Sequence, residues 1–324
     1  MFRVLSIDGG GIRGVIPAAL LKYLEEATGK PISSMFDLIV GTSTGGIIAA
    51  GLATPDADGK PKYTAADMLN LYANRGKEIF ARSFWRGITS IGGISEELYS
   101  AAPLEKLLKE YLGDATLTDC IVPVLITSYD IERREPYFFK TSQAKRKKDR
   151  NHYLRDAARA TSAAPTYFEP AVIKSMAKRP TRRALVDGGV FVNNPAMCGY
   201  VEAFGMAENL SDIMVVSLGT GIATRMIPYE EAKGWGKLAW VQPIISVMMD
   251  GSADASDYQL QHLLVGDTPP AEQRYYRFTT TLDLALDDMD AAGAGNIRNL
   301  VDEAGQILKD QADEFARLVA ALSA

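Results

Sequence analysis

One pentapeptide restricts this chain more than any other feature. Gly41-Thr42-Ser43-Thr44-Gly45 follows the apolar run Phe36-Asp37-Leu38-Ile39-Val40 and precedes Gly46-Ile47-Ile48-Ala49-Ala50-Gly51-Leu52. Apolar run, tight turn and second apolar run read as strand, turn and helix, the building step of an α/β sheet. Gly41 and Gly45 omit the Cβ atoms that would hold strand and helix apart. A serine at the apex of such a turn is pushed out of the sheet with its hydroxyl exposed. It also lies beside the amides that open a helix, where negative charge is favoured. This is the pattern of a nucleophile elbow. Five residues carry little weight by themselves in a glycine-rich chain, so the rest of the sequence must support them.

The first support is the opening of the chain. Phe2–Ile7 reads as a strand, Asp8-Gly9-Gly10-Gly11-Ile12-Arg13-Gly14 follows, and a helix is expected from about Val15 to Ala27 with Leu20, Leu21 and Leu24 on one face. Three consecutive glycines between strand and helix leave backbone N–H groups bare and able to converge on an anion. Gly9 to Gly14 also fits the dinucleotide fingerprint G-x-G-x-x-G. That reading requires an acidic residue ending the next strand, whereas Asp37 begins it and its end leads into the Ser43 turn. No lysine follows the glycines to make a phosphate loop. An oxyanion hole, donating N–H groups to charge developing on a carbonyl oxygen, fits better.

The second support is Ala184-Leu185-Val186-Asp187-Gly188-Gly189, a short apolar strand ending in an aspartate. Asp-Gly by itself is the signature of a plain tight turn. A nucleophilic serine needs a proton acceptor, however, and the chain has only two histidines, His152 and His262. His152 follows the charged stretch Lys145–Arg150 and reads as a solvated loop residue. His262 falls in an amphipathic helical pattern, Asp257–Leu264. It keeps a triad in the order Ser43, Asp187, His262 open.

At this point the motifs together resemble the patatin-like phospholipases, the lipid acyl hydrolases that include the potato tuber storage protein. The matching stretches are Ser6–Gly14, Gly41–Gly46, Ala158–Phe168, Asp187-Gly188-Gly189, Asn193-Asn194-Pro195, Ser217–Gly221 and Asp287-Asp288-Met289-Asp290, in family order. The resemblance implies a three-layer α/β fold, a central mostly parallel sheet flanked by helices. It implies a Ser43–Asp187 dyad without a catalytic histidine, an oxyanion hole made by Gly9, Gly10 and Gly11, and no cofactor or calcium. Arg13 stands where related cytosolic phospholipases carry an arginine thought to engage the substrate phosphate. Gly14, Gly41, Gly45, Gly188 and Gly189 are the motif glycines. The implied substrate is a membrane lipid ester: a phospholipid, lysophospholipid or galactolipid.

Composition narrows the setting. The chain has 324 residues, 35 Lys plus Arg against 40 Asp plus Glu, and a net charge of −5. That balance argues against nucleic acid as a partner and against bulk attraction to anionic membrane. A cytoplasmic enzyme is expected, peripheral at membranes when acting, with no signal peptide and no transmembrane span. Cys120 and Cys198 make neither a disulfide framework nor a metal site and are expected to be buried. Nothing in the sequence sets an oligomeric state.

A single domain over 1–324 is expected, with a catalytic core to about residue 221 and a helical portion from about 222. Further strands are expected at Phe36–Val40, Pro123–Ser128, Pro136–Lys140, Ala184–Asp187 and Ile213–Leu218. Helices are expected at Thr64–Ala81, Pro103–Tyr111, His152–Ala160, Pro195–Leu210, Glu230–Asp250, Ala255–Leu264 and Ile297–Leu322. Pro55–Lys62 and Gly266–Glu272 read as linker-like. Ile79–Ile94, with Phe84, Trp85 and two arginines, reads as a helix end or as a lid at a headgroup boundary. The basic loop Lys140–Arg150 reads as a solvated face, or alternatively as a holder of anionic headgroups or a small regulatory nucleotide. Two other roles stay open: a weakly active storage-type protein, and an effector switched on by a cyclic nucleotide.

Overall fold

A computed structural model describes residues 1–79, 99–265 and 272–323. The expected lid around Phe84 and Trp85, and most of the Gly266–Glu272 linker, lie outside these residues. Among the described residues, eight strands form one mixed sheet: β1 (Phe2–Ile7), β2 (Leu38–Gly41), β3 (Val124–Asp130), β4 (Glu135–Lys140), β5 (Ala171–Lys174), β6 (Arg182–Asp187), β7 (Ile213–Leu218) and β8 (Tyr275–Phe278). The order is β5-β6-β3-β2-β1-β7-β8, with β4 also paired to β3. The run β3-β2-β1-β7-β8 is parallel, while β4 and β6 run antiparallel to β3.

The central strands are buried over most of their length, as expected of parallel strands covered on both faces by helices. The principal helices are α1 (Val15–Thr28), α2 (Thr44–Ala53), α3 (Ala65–Ile79), α4 (Ala102–Leu112), α5 (Leu154–Thr161), α6 (Ala196–Ala203), α7 (Lys237–Leu260), α8 (Ala294–Asp310) and α9 (Ala312–Ser323). Every residue of α2 is buried, so this helix lies inside the molecule against the sheet. α1 ends where Gly29 takes a left-handed φ of 65° and donates to the Glu25 carbonyl. One hydrophobic cluster runs from Leu5 to Leu322, tying the C-terminal helices to the first strand and helix.

The structure departs from sequence expectation in several places. β5 and β8 were not expected, and β8 adds a strand from the stretch read as helical. The helix expected over Pro195–Leu210 stops at Ala203, and that over Ile297–Leu322 breaks at Gln311. The two helices expected between Glu230 and Leu264 are largely one, α7, which carries Pro243 within it and ends in a π-helical turn, Gln261–Val265. Pro55–Lys62 is an ordered turn closed by a Pro55–Pro61 bridge, with Asp56 Oδ1 accepting from the Asp58 and Lys60 N–H groups. His152 is not a solvated loop residue: it is buried, its Nε2 lies 2.9 Å from the Tyr137 hydroxyl, and burial lowers its pKa to about 4. Cys120 is buried as expected, but Cys198 is half-buried.

Candidate active site

Sheet register brings the serine and aspartate turns together. β4 occupies one edge of β3, and both β2 and β6 occupy the other. Gly41, the last residue of β2, pairs with Ile126; Asp187, the last residue of β6, pairs with Ser128. Because β2 runs parallel to β3 and β6 antiparallel, their C-terminal ends point at each other across Thr127. The Thr127 hydroxyl lies 2.7 Å from that of Thr42, and a Cβ at Gly188 would fall 2.1 Å from the same Thr127 oxygen. Two turns 144 residues apart in the chain are thereby held on one strand edge.

Ser43 has φ 54° and ψ −121°, a backbone conformation that non-glycine residues adopt only when their surroundings enforce it. The enforcement is visible. Its N–H donates to Thr161 Oγ1 at 2.8 Å, and the Thr42 hydroxyl donates to the Val192 carbonyl. A Cβ at Gly41 would sit 2.2 Å from the Gly45 carbonyl oxygen, so the turn closes only with glycine there. Asp187 is 2% exposed. Its Oδ1 accepts the Gly189 N–H at 2.7 Å, while Oδ2 has no partner in hydrogen-bond geometry among the described residues. Burial raises its pKa to about 7, with the Ser43 hydroxyl and the Gly189 N–H opposing the shift. Ser43 and Asp187 line one cavity, walled by apolar side chains including Ile47, Leu104, Phe168 and Met289.

The glycine loop reaches the same cavity at Gly11. Gly11 has φ 61°, and a Cβ there would lie 2.2 Å from the Met289 carbonyl oxygen. Of the three loop amides expected to be bare, that of Gly9 is engaged, donating to the Asn193 carbonyl at 3.1 Å. Gly10 and Gly11 N–H have no backbone acceptor among the described residues, and neither does that of Thr44 at the start of α2. Gly14 packs against Thr44, where a Cβ would meet Oγ1 at 2.2 Å.

Residues from late in the chain hold this loop in place. Thr220 Oγ1 donates to the Gly9 carbonyl at 2.7 Å, and Arg277 Nη2 pairs with Asp8 Oδ2 at 2.6 Å. Arg277 was missed in the sequence. The available signal was one cation inside the aromatic strand Tyr275-Tyr276-Arg277-Phe278, where a charge needs a buried partner.

Arg13 is not in the Ser43 cavity. It lies in a larger adjoining compartment with Arg225, Asp250, Asp287 and Asp288. Tyr167, Met249 and Met289 belong to the walls of both. Arg13 is buried. It donates through Nε to the Gly10 carbonyl at 3.4 Å and through Nη1 to that of Gly221 at 3.3 Å. Burial lowers its pKa, with the carboxylates Asp250, Asp287 and Asp288 opposing. His262 lines neither cavity; it is exposed, with Nδ1 2.8 Å from the Tyr258 carbonyl one turn back. Among the described residues, no group of three or more His, Cys, Asp or Glu side chains converges on a metal position.

An alcohol, a carboxyl that titrates near neutrality and N–H groups unengaged among the described residues, around one apolar cavity, are the components of nucleophilic acyl transfer. Comparison with known proteins places the chain in a family. The family model for patatin-like phospholipases matches residues 5–197. The chain is 32% identical to patatin-like protein 2 of Oryza sativa subsp. indica over 96% of its own length and 84% of the rice protein. It is 30% identical to patatin-2-Kuras 3 of Solanum tuberosum over 95% of its length and 84% of that protein. It is also 29% identical, over 97% and 88%, to a Solanum tuberosum protein named probable inactive patatin-3-Kuras 1. The chain belongs to the patatin-like phospholipase family, whose general activity is lipid acyl hydrolysis.

Proposed function

We propose that the protein hydrolyses carboxylic esters of membrane lipids through an acyl-enzyme on Ser43, with Asp187 as the base. One observation carries this reading: a buried carboxyl oxygen, Asp187 Oδ2, has no partner among the described residues in the cavity that also contains Ser43. A carboxylate is ordinarily a poor base for an alcohol. Raised to about 7 by burial, Asp187 is a better one near neutral pH. It takes the Ser43 proton as Oγ adds to the acyl carbonyl. The oxyanion receives N–H donors from Gly10 and Gly11, with Thr44 at the opening of α2 as a third. The leaving alkoxide departs with the proton from Asp187. Water then adds to the acyl-enzyme, passes a proton to the same carboxylate, and the acid is released as Ser43 recovers its hydrogen.

The two compartments suggest how a lipid would lie. The apolar cavity suits an acyl chain, and the larger polar one suits a headgroup. Arg13 braces Gly10 and has Nη2 without a partner among the described residues, so it can donate to a headgroup phosphate. Candidate substrates are phospholipids, lysophospholipids and galactolipids, approached as a peripheral enzyme. A relative named as inactive gives the competing reading of a silent family member. Incubation with a mixed lipid extract should release free fatty acid, and Ser43→Ala should abolish that release. Equal release by both proteins, or by neither, would defeat the proposal.

A further inference from the structure

The N-terminal half of α7 is unlike the other helices among the described residues. From Leu238 to Met249 it contains no charged residue, yet none of the residues described between Lys237 and Met248 is buried. Its packed part begins at Met249 and continues through Ala253, Ser256 and Leu260. Trp240, Val241, Ile244, Val247 and Met248 are all exposed, the last by 50%. Their spacing of one, three, three and one residues places them on one face of a helix. The preceding segment extends the same apolar surface with Met226, 85% exposed, and Tyr229, 76% exposed. A contiguous apolar surface left in water is unfavourable and marks a contact surface.

We infer that this face of α7, with the Met226–Tyr229 segment, is the surface by which the protein docks on a neutral or zwitterionic lipid bilayer. The inference rests on the lipid hydrolase reading, and three observations choose a bilayer as the occupant. The patch is continuous with the mouth of the headgroup compartment, because Met226, Ile227 and Val247 belong to both. A lipid leaving a bilayer seated on the patch therefore enters the compartment without crossing water. The rim carries both signs, Arg225, Lys233 and Lys237 beside Glu230 and Glu231, and the chain carries −5 overall. Attraction to anionic lipid is therefore not the driving force. Finally, no helix among the described residues is long and apolar enough to cross a membrane, so α7 lies on the surface.

The test uses the full chain carrying Ser43→Ala, so that binding is read without turnover, with and without Val241→Gln, Ile244→Gln and Met248→Gln together. None of these three residues lines either cavity, and glutamine preserves helix propensity. Flotation with phosphatidylcholine vesicles should show binding by the parent that the triple variant weakens about tenfold or more. Raising salt from about 0.1 to about 0.5 M should change the parent's binding by less than about twofold. With Ser43 restored, the triple variant should cleave a water-soluble short-chain ester at the parent's rate while losing turnover on vesicle lipid in proportion to binding. Ile244→Gln alone gives a smaller loss in the same direction and serves if the triple variant does not fold. Unchanged vesicle binding, absent binding by the parent, or conversion of a dimer to a monomer with binding intact would overturn the inference. Loss of ester cleavage in every protein, with binding as expected, would instead overturn the hydrolase reading.

Discussion

The Ser43 cavity and the Arg13 compartment share three wall residues, Tyr167, Met249 and Met289, but treat charge in opposite ways. In the first, Asp187 has no cation beside it among the described residues, and burial carries its pKa to about 7. In the second, carboxylates and arginines face each other in a larger space, and Arg225 bonds Asp287 at 3.0 Å. A base that must accept a proton from an alcohol gains from the dry side. A polar headgroup gains from the wet side. The glycine loop stands between them, with Gly11 lining one and Arg13 the other. Substitutions on either side should therefore separate by kind of effect.

The largest effect is expected on the dry side, at Asp187. Asp187→Asn keeps an acceptor for the Gly189 N–H but removes the base, and turnover should fall by about a thousandfold or more. In the parent protein, kcat/KM should rise with pH and level off with a midpoint near 7, since the ionised form is the base. The same shift bears on stability. The native pKa lies above the value of 3.8 expected without burial, so the folded state holds its proton more tightly than the unfolded one. The resulting stabilisation is complete below about pH 4 and is lost as pH rises to 7, up to about 4 kcal/mol. Asp187→Asn should accordingly melt above the parent at pH 8 and near it at pH 4. A constant difference in Tm across that range would mean that the carboxyl is not desolvated.

Between the two sides, Gly11→Ala keeps the N–H but must shift it, and kcat should fall by up to about a hundredfold, the loss expected of one displaced oxyanion donor. It should also destabilise the protein by about 1–3 kcal/mol, because alanine meets the Met289 carbonyl at a positive φ. Full activity with normal stability would remove the loop from the mechanism. On the wet side, Arg13→Ala should reduce kcat/KM on a phospholipid about tenfold, a charge-assisted hydrogen bond, and on a galactolipid by less. Equal losses on both would show that Arg13 only braces the Gly10 carbonyl. The smallest effect belongs to His262→Ala, which should change turnover less than about twofold, measured on the same phospholipid.

The serine, the aspartate and the glycine loop were legible in the sequence because each is a local pattern: an apolar strand followed by glycines at fixed offsets. What brings them together was not legible. The antiparallel entry of β6 on the β2 edge of β3 is a long-range pairing, and no local periodicity encodes it. β5 and β8 are four-residue strands whose residues read equally well as loop. The burial of His152 depends on Tyr137 and Phe139 from a neighbouring strand, so its charged neighbours in sequence misrepresent its setting. The Gly9 amide could not be told from those of Gly10 and Gly11 because its acceptor, Asn193, lies far along the chain. The exposed half of α7 was read only as helix, since composition does not tell which apolar faces remain unpacked.

The central claim is that Ser43 is the nucleophile and Asp187, not a histidine, is its base. Its most direct test is intact-mass and peptide mapping after treatment with an alkyl fluorophosphonate, with labelling rates compared among variants. One adduct is expected, on Ser43, formed at the parent's rate in His262→Ala and far more slowly in Asp187→Asn. An adduct on another residue, or a rate in His262→Ala as slow as in Asp187→Asn, would contradict it.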